Sequence, residues 1–479
     1  MKEPNLTAKI AIIGAGSAGM QAYRAARQHT EDIALIEGNQ YGTTCARVGC
    51  MPSKLLIAPA ELCHRTQLAS QFGIDIPTVA VNGKQVMNRV KSERDRFVGF
   101  IKEDAASFVL KHRLFSQARF IDDTRLELAD GRILEAERIV IATGSRPKIQ
   151  DVFLPVKDKV FTTDELFYFD DLPASAAVFG AGAIGLEMAQ ALHRLGVRVH
   201  LFGKANKVKP LSHPELTACA RSIFEKELPF VASPEALSLS KTATDKVQIS
   251  FSDANTPDAG LQQVTVDSVL VATGRMPNTD NLGLENTTLT RQANGVPVYN
   301  PKTLQCTSEK GGAPIFIAGD ATDELTVLHE AYHEGFLAGQ NAACFPQIQE
   351  QTIKAPMAIV FTEPQIAVVG QSYQQLVDAG IDFETGTESF EDQGRSRVFL
   401  MNQGMLAVFA ERRSGRLLGA EIAAPAGEHM AHLLAWCIQL QLTVDTVLSM
   451  PFYHPVIEEG LESALQTLKK SLREAPCPV

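Results

Sequence analysis

Residues 9–19 read Lys9-Ile10-Ala11-Ile12-Ile13-Gly14-Ala15-Gly16-Ser17-Ala18-Gly19. A short apolar run rich in β-branched residues stops at three glycines spaced Gly-x-Gly-x-x-Gly, and Met20 to Gln28 continues with helix-forming alanines and arginines. Ile33 to Ile36 reads as a second strand, ending on the acid Glu37. In such a strand–turn–helix–strand unit the glycines have separate tasks. Gly14 permits the tight turn, Gly16 lets backbone approach a pyrophosphate, and Gly19 lets the helix pack close on the strand. A single copy of this spacing arises readily by chance. Here it recurs, with Ala176 to Phe179 as strand, Gly180-Ala181-Gly182-Ala183-Ile184-Gly185 as turn, Leu186 to Leu195 as helix and Val197 to Phe202 as the next strand. Two correctly framed copies predict an α/β fold with two Rossmann-like dinucleotide-binding domains.

Two further echoes, Ile139-Val140-Ile141-Ala142-Thr143-Gly144 and Val269-Leu270-Val271-Ala272-Thr273-Gly274, read as strands that close the two domains. Lys84 to Arg113 has a charged helical pattern, and Ser233 to Gly260 reads as a small β-region with polar loops. Beyond Pro356 strand-like runs give way to a helical stretch, Glu428 to Leu440, which predicts a third, α+β domain. The expected boundaries are 1–150 with 279–351 for a discontinuous first domain, 151–278 for the second and 352–479 for the third.

A length of 479 residues allows about three domains at roughly 150 residues each. Apolar residues make up 45% and charged residues 21%, which excludes extended disorder and fibres. With 45 Lys+Arg against 55 Asp+Glu the net charge is -10, a surface that repels phosphate backbones and anionic lipid, so neither nucleic acid nor membrane is an expected partner. No long apolar run and no basic amino-terminal leader is present, and a cytoplasmic protein is expected.

The sharpest chemical feature is Thr44-Cys45-Ala46-Arg47-Val48-Gly49-Cys50-Met51-Pro52-Ser53-Lys54. Two cysteines separated by four residues, without a second close pair, do not make a zinc ligand set, and no metal site is expected. A disulfide across so short a loop contributes only about 2 kcal/mol, so reversible redox explains the pair better than stapling. Pro52 suits the first turn of a helix, which places Cys50 near a positive helix end where a thiolate is favoured.

This segment resembles the active-site disulfide of the class I pyridine nucleotide-disulfide oxidoreductases, with Pro52-Ser53-Lys54 most like the dihydrolipoamide dehydrogenases. The resemblance runs the length of the chain, through both glycine motifs, both Ala-Thr-Gly strands, Ala318-Gly319-Asp320, Phe361-Thr362-Glu363-Pro364-Gln365-Ile366-Ala367 and His454-Pro455-Val456-Ile457-Glu458-Glu459. It implies a glutathione reductase fold. The first domain would bind FAD through Gly14, Gly16, Gly19, Glu37, Ala118, Thr143, Gly144 and Asp320, and the second NAD(H) or NADP(H) through Gly180, Gly182, Gly185, Glu187, Gly203, Lys204, Gly274 and Arg275. The third would form a homodimer. The resemblance further implies that Cys45 exchanges with substrate, that Cys50 faces the flavin, and that Lys54 lies beside the flavin N5 paired with Glu187. His454, oriented by Glu459 and supplied by the other subunit, would accept the substrate proton.

The chain departs from that pattern at two places. Glu37 follows Gly14 by 23 residues, but the same offset from Gly180 lands on Gly203. A carboxylate there would select NAD, whereas Lys204, Lys207 and Lys209 follow and would favour a 2'-phosphate; the alternative is a solvated basic loop. Thr43 stands where relatives commonly have glycine. Cys477, near the carboxy terminus, has no adjacent redox partner and does not make a paired redox tail. Cys63, Cys219, Cys306, Cys344 and Cys437 read as packing residues. The absence of an amino-terminal CxxC weighs against a mercuric reductase, and the retained cysteine pair weighs against soluble transhydrogenases. The expected activity is dihydrolipoamide oxidation with NAD, on a lipoyl carrier, with a 2-oxo acid dehydrogenase complex as a candidate partner. The alternative is an NAD(P)H-dependent reductase of another disulfide or an electrophile.

Overall fold

The computed structural model describes residues 6–309 and 311–474; Cys477 lies outside them. The chain divides into two compact units. The first comprises Met1–Pro52, Arg89–Lys148 and Arg275–Ile353, and the second Ser53–Asn88, Ile149–Gly274 and Lys354–Val479. The chain crosses between the units after Lys148, Gly274 and Ile353. It also crosses twice more, because residues 53–88 join the second unit.

The first unit is built on a sheet whose central strands, Gly311–Ile317, Ile133–Ile141, Leu6–Ile13, Ile33–Glu37 and Arg113–Phe115, lie side by side in parallel. These strands are apolar on both faces, as a parallel sheet covered on both sides requires: Ile10, Ile12, Leu35, Ile139, Val140 and Ile141 are buried. Helix Ser17–Arg27 packs against helix Leu328–Cys344. The contact is close because Gly335 and Gly339 face the carbonyls of Ala18 and Ala22, where an added Cβ would sit at 2.2 Å. The charged pattern of Lys84 to Arg113 forms the long helix Gly83–Ser107.

In the second unit a parallel sheet runs in the order Phe230–Val231, Arg198–Phe202, Ser175–Phe179, Ser268–Val271, Val160–Phe161. The polar stretch after Ser233 supplies an antiparallel three-stranded sheet, Pro234–Lys241, Val247–Asp253 and Gln262–Val266. Beyond Pro356 a five-stranded antiparallel sheet carries helices Gly427–Gln439 and Glu459–Glu474 on its apolar face, where Leu406, Val408, Ile422, Leu434 and Leu465 are buried. Among the described residues no helix is long and apolar enough to cross a membrane.

Candidate active site

The first glycine turn follows strand Leu6–Ile13 and opens helix Ser17–Arg27. Gly14 has φ +103°, and a Cβ there would lie 2.3 Å from the Ala142 carbonyl oxygen; one on Gly19 would lie 1.8 Å from the Gly14 oxygen. Nothing comes within 4 Å of the Cβ position of Gly16, so the middle of the turn is open on the side where the backbone can approach a ligand. The Glu37 carboxylate accepts from Ala15 N–H at 3.0 Å and Asn39 N–H at 2.9 Å, which places it beside the turn. The Thr143 hydroxyl oxygen is buried without a hydrogen-bond partner, and Ala118 is buried on the strand Ala118–Phe120 of the same unit. An open turn, a carboxylate and an orphaned hydroxyl fit a dinucleotide such as FAD.

Asp320 belongs to the same unit. Its carboxylate accepts from the Ser145 hydroxyl at 2.8 Å, and Arg275 donates to that hydroxyl oxygen at 2.8 Å and to the Ser145 carbonyl at 2.7 Å. Arg275, expected beside the nicotinamide nucleotide, therefore has its guanidinium committed to Ser145. Gly319, next to Asp320, donates its N–H to Glu334 at 2.7 Å. Burial, helped by the neighbouring acids Glu330, Glu324 and Asp320, pushes the Glu334 carboxyl up to about 7. Sequence reading missed Ser145, whose partners Arg275 and Asp320 lie far along the chain, and Glu334, whose character comes from burial.

The cysteine segment folds as a short helix, Thr44–Val48, followed after Gly49 by helix Cys50–Leu68 with Pro52 in its first turn, as expected. Cys45 is half-buried and Cys50 exposed. The turn at Gly49 is tight, its Cβ position lying 3.1 Å from Cys45 Cα. Thr43 is buried with φ 44° and ψ 150°, a conformation that favours glycine, and its hydroxyl accepts from Ala46 N–H at 3.2 Å to cap the Cys45 helix. Tyr332 is raised by burial and, secondarily, by the charge of Cys45, which marks it as a neighbour of that thiol. By contrast, burial pushes the thiols of Cys219, Cys306 and Cys437 up, which makes them poor nucleophiles.

In the second unit the turn at Gly180, Gly182 and Gly185 repeats the first, with φ +117° at Gly180, open space at Gly182 and a 1.8 Å approach at Gly185. The residues after strand Arg198–Phe202 differ. A Cβ on Gly203 would lie 3.0 Å from the Phe230 ring and 3.1 Å from the Ala232 oxygen, so a side chain there would require its neighbours to give by a few tenths of an ångström. Lys204, Lys207 and Lys209 are exposed and unpaired with any carboxylate among the described residues, and Lys209 N–H donates to the Ala181 oxygen at 2.9 Å, folding this loop back to the glycine turn. Gly274 has φ +127° and ends the second Ala-Thr-Gly strand.

Lys54 Nζ lies 2.9 and 3.0 Å from the two Glu187 carboxylate oxygens and 4.3 Å from the centre of the Phe361 ring. His454 Nδ1 lies 2.8 Å from Glu459 Oε1, and Val456 N–H donates to Oε2 at 3.0 Å. Those two bonds hold the Glu459 carboxyl below the usual carboxylate range. With Nδ1–H donating to Glu459, Nε2 is left as the proton acceptor, and the His454 side chain is 81% exposed. Among the described residues no group of three or more His, Cys, Asp or Glu is placed to hold a metal ion.

The family model for pyridine nucleotide-disulphide oxidoreductases matches residues 8–335, and that for their dimerisation domain matches residues 357–465. A mercuric reductase from Streptomyces lividans is 31% identical over 98% of this chain and 98% of its own length. A dihydrolipoyl dehydrogenase from Chlamydia pneumoniae is 27% identical over 97% of this chain and 98% of its own. The solved structure of LpdA from Mycobacterium tuberculosis shares the fold, with a TM-score of 0.80 at 23% identity, covering 96% of this chain and 99% of that one. Similarity along the whole chain does not favour the dehydrogenases over the mercuric reductases. The glycine turns, the cysteine segment and these matches make the chain a member of the pyridine nucleotide-disulphide oxidoreductases, flavoproteins that use FAD and NAD(P)H and pair through a carboxy-terminal dimerisation domain.

Proposed function

We propose that this chain is a dithiol:NAD(P) oxidoreductase acting on dihydrolipoamide or a lipoyl-carrier protein. The observation that carries this reading is the His454–Glu459 pair, which engages Nδ1 of an exposed imidazole and leaves Nε2 as a base suited to a thiol. In the oxidised enzyme Cys45 and Cys50 would form a disulfide. His454 Nε2, from the second copy, takes the proton of one substrate thiol, and the thiolate attacks Cys45 Sγ. A bond forms between substrate and Cys45 while the Cys45–Cys50 bond breaks, leaving Cys50 as thiolate. The second substrate sulfur then attacks the substrate sulfur bonded to Cys45, closing the substrate disulfide and releasing Cys45, which takes up the proton of that second thiol, so two electrons come to rest on the cysteine pair.

Gly14, Gly16, Gly19, Glu37, Ala118, Thr143, Gly144 and Asp320 would hold FAD, which when bound relays the two electrons between the cysteine pair and the nicotinamide. Gly180, Gly182, Gly185 and Gly274 would admit the nicotinamide nucleotide, and Lys54, neutralised by Glu187, would place its ammonium at the flavin. The domain limits then follow as FAD-binding for 1–150 with 279–351, NAD(P)-binding for 151–278 and dimerisation for 352–479.

The extent of similarity to mercuric reductases favours a second reading, an NAD(P)H-dependent reductase of another disulfide or of an electrophile such as a soft metal ion. One assay separates the two: turnover of dihydrolipoamide by wild type and Cys50→Ser. The expected result is rapid wild-type turnover, abolished by the substitution while dye reduction by NAD(P)H persists. Absent wild-type turnover, with dye reduction intact, would move the substrate to the second class.

A further inference from the structure

Helix Ala183–Arg194 turns one face, Glu187, Gln190 and Arg194, toward the segment Phe361–Glu363, and all three side chains are buried. Glu187 Oε1 accepts from Phe361 N–H at 2.9 Å. Gln190 clamps the Glu363 backbone at two points, its Oε1 accepting from Glu363 N–H at 2.8 Å and its Nε2 donating to the Glu363 carbonyl at 2.8 Å. Arg194 donates to the Glu363 carboxylate at 2.6 Å and to Glu227 at 2.6 Å, and Gln190 Nε2 also reaches Glu227 at 2.7 Å. Phe361 is the output of this brace. Its N–H fixes the Glu187 carboxylate, and its ring lies 4.3 Å from Lys54 Nζ.

We propose that Gln190 is a positioning residue for Lys54, acting through the Glu363 backbone and Phe361, with Arg194 as its buttress. The inference rests on the reading of Lys54 as the cation at the flavin. Without the amide of residue 190, two part-buried backbone groups of Glu363 lose their partners, and the segment must move to recover them. That movement takes the Phe361 N–H off Glu187 and the ring off Lys54, so the ammonium shifts although neither it nor its carboxylate has been altered.

Removing Arg194 would bury Glu227 and Glu363 without a counter-charge and endanger the fold. The test therefore uses Gln190→Met, close to glutamine in length, in the flavin-loaded protein, alone and combined with Lys54→Met. The readout is the ratio of reduced to oxidised flavin at equilibrium with a reference dye. Lys54→Met is expected to lower that ratio, Gln190→Met to lower it about tenfold, and Gln190→Met to add nothing in the Lys54→Met background. Phe361→Leu, which keeps the N–H and removes the ring, should give a smaller shift and serves if Gln190→Met does not fold. An unchanged ratio in the folded Gln190→Met protein, or the same fold-change in both backgrounds, overturns the inference. An unchanged ratio in Lys54→Met would instead overturn the reading of Lys54 beneath it.

Discussion

The Ser145 hydroxyl stands between Arg275 and Asp320, accepting from the guanidinium and donating to the carboxylate, each at 2.8 Å. Arg275 follows Gly274 at the end of the second Ala-Thr-Gly strand, yet its side chain works with the first unit. Ser145→Ala should therefore weaken FAD retention about tenfold, the size of one lost charge-assisted hydrogen bond, with KM for the nicotinamide nucleotide unchanged. Flavin fluorescence released on dilution measures the first and steady-state kinetics the second. A raised nucleotide KM with full flavin retention would return Arg275 to the nicotinamide side.

Thr43 pairs a cost with a benefit. A β-branched residue at φ 44° carries strain of about 1–3 kcal/mol, while its hydroxyl caps the helix that presents Cys45. Glycine at a helix cap loses only a few tenths of a kcal/mol, whereas alanine loses about 1 kcal/mol. Thr43→Gly should raise the Tm of the flavin-loaded protein and Thr43→Ala should lower it. A lower Tm in both would mean that the backbone at this position is unstrained.

Glu334 makes stability depend on pH. Its folded pKa, about 7, lies above the ordinary 4.5, so the stability tied to it is complete below pH 4.5 and is lost as pH rises through 7. Glu334→Gln keeps an acceptor for Gly319 N–H and cannot ionise. Relative to the variant, wild type should lose up to about 3 kcal/mol across that window, read from urea denaturation at pH 5 and pH 8. Parallel pH profiles would contradict the assignment.

The basic loop bears on nucleotide choice. Replacing Lys204, Lys207 and Lys209 together by alanine should raise KM for NADP several-fold and leave KM for NAD nearly unchanged, since only a 2'-phosphate gives the lysines something to pair with. Gly203→Asp should lower the Tm, because a Cβ there meets the Phe230 ring at 3.0 Å and the Ala232 oxygen at 3.1 Å and its neighbours must give way. Unchanged KM values for both nucleotides would mark the lysines as a solvated face.

The two dinucleotide domains were legible because their glycines answer to local steric demands, and the structure shows them as carbonyl contacts one strand away at Ala142 and Ala272. The cysteine pair was legible for a similar reason, since its chemistry depends on near neighbours in sequence. Other features were not. The close packing of Phe230 against Gly203 was not readable, because that ring stands 27 residues further on. Gln190 and Arg194 read as ordinary helix residues, because the carboxylates and backbone they bind arrive from Glu227 and Glu363. Glu334 gives no sign in the sequence of its altered protonation, which comes from burial.

His454 engages its own chain through Nδ1, and its ring is exposed. On the proposed reading each reaction centre is shared property, so two defective copies can repair one another. Mixing inactive Cys45→Ser and His454→Gln chains, with subunit exchange, should produce mixed pairs in which one centre has lost both parts and the other has both intact. Random pairing makes about half the pairs mixed, and activity should return to about a quarter of the wild-type value. A protein whose histidine served its own cysteines would stay silent at every mixing ratio.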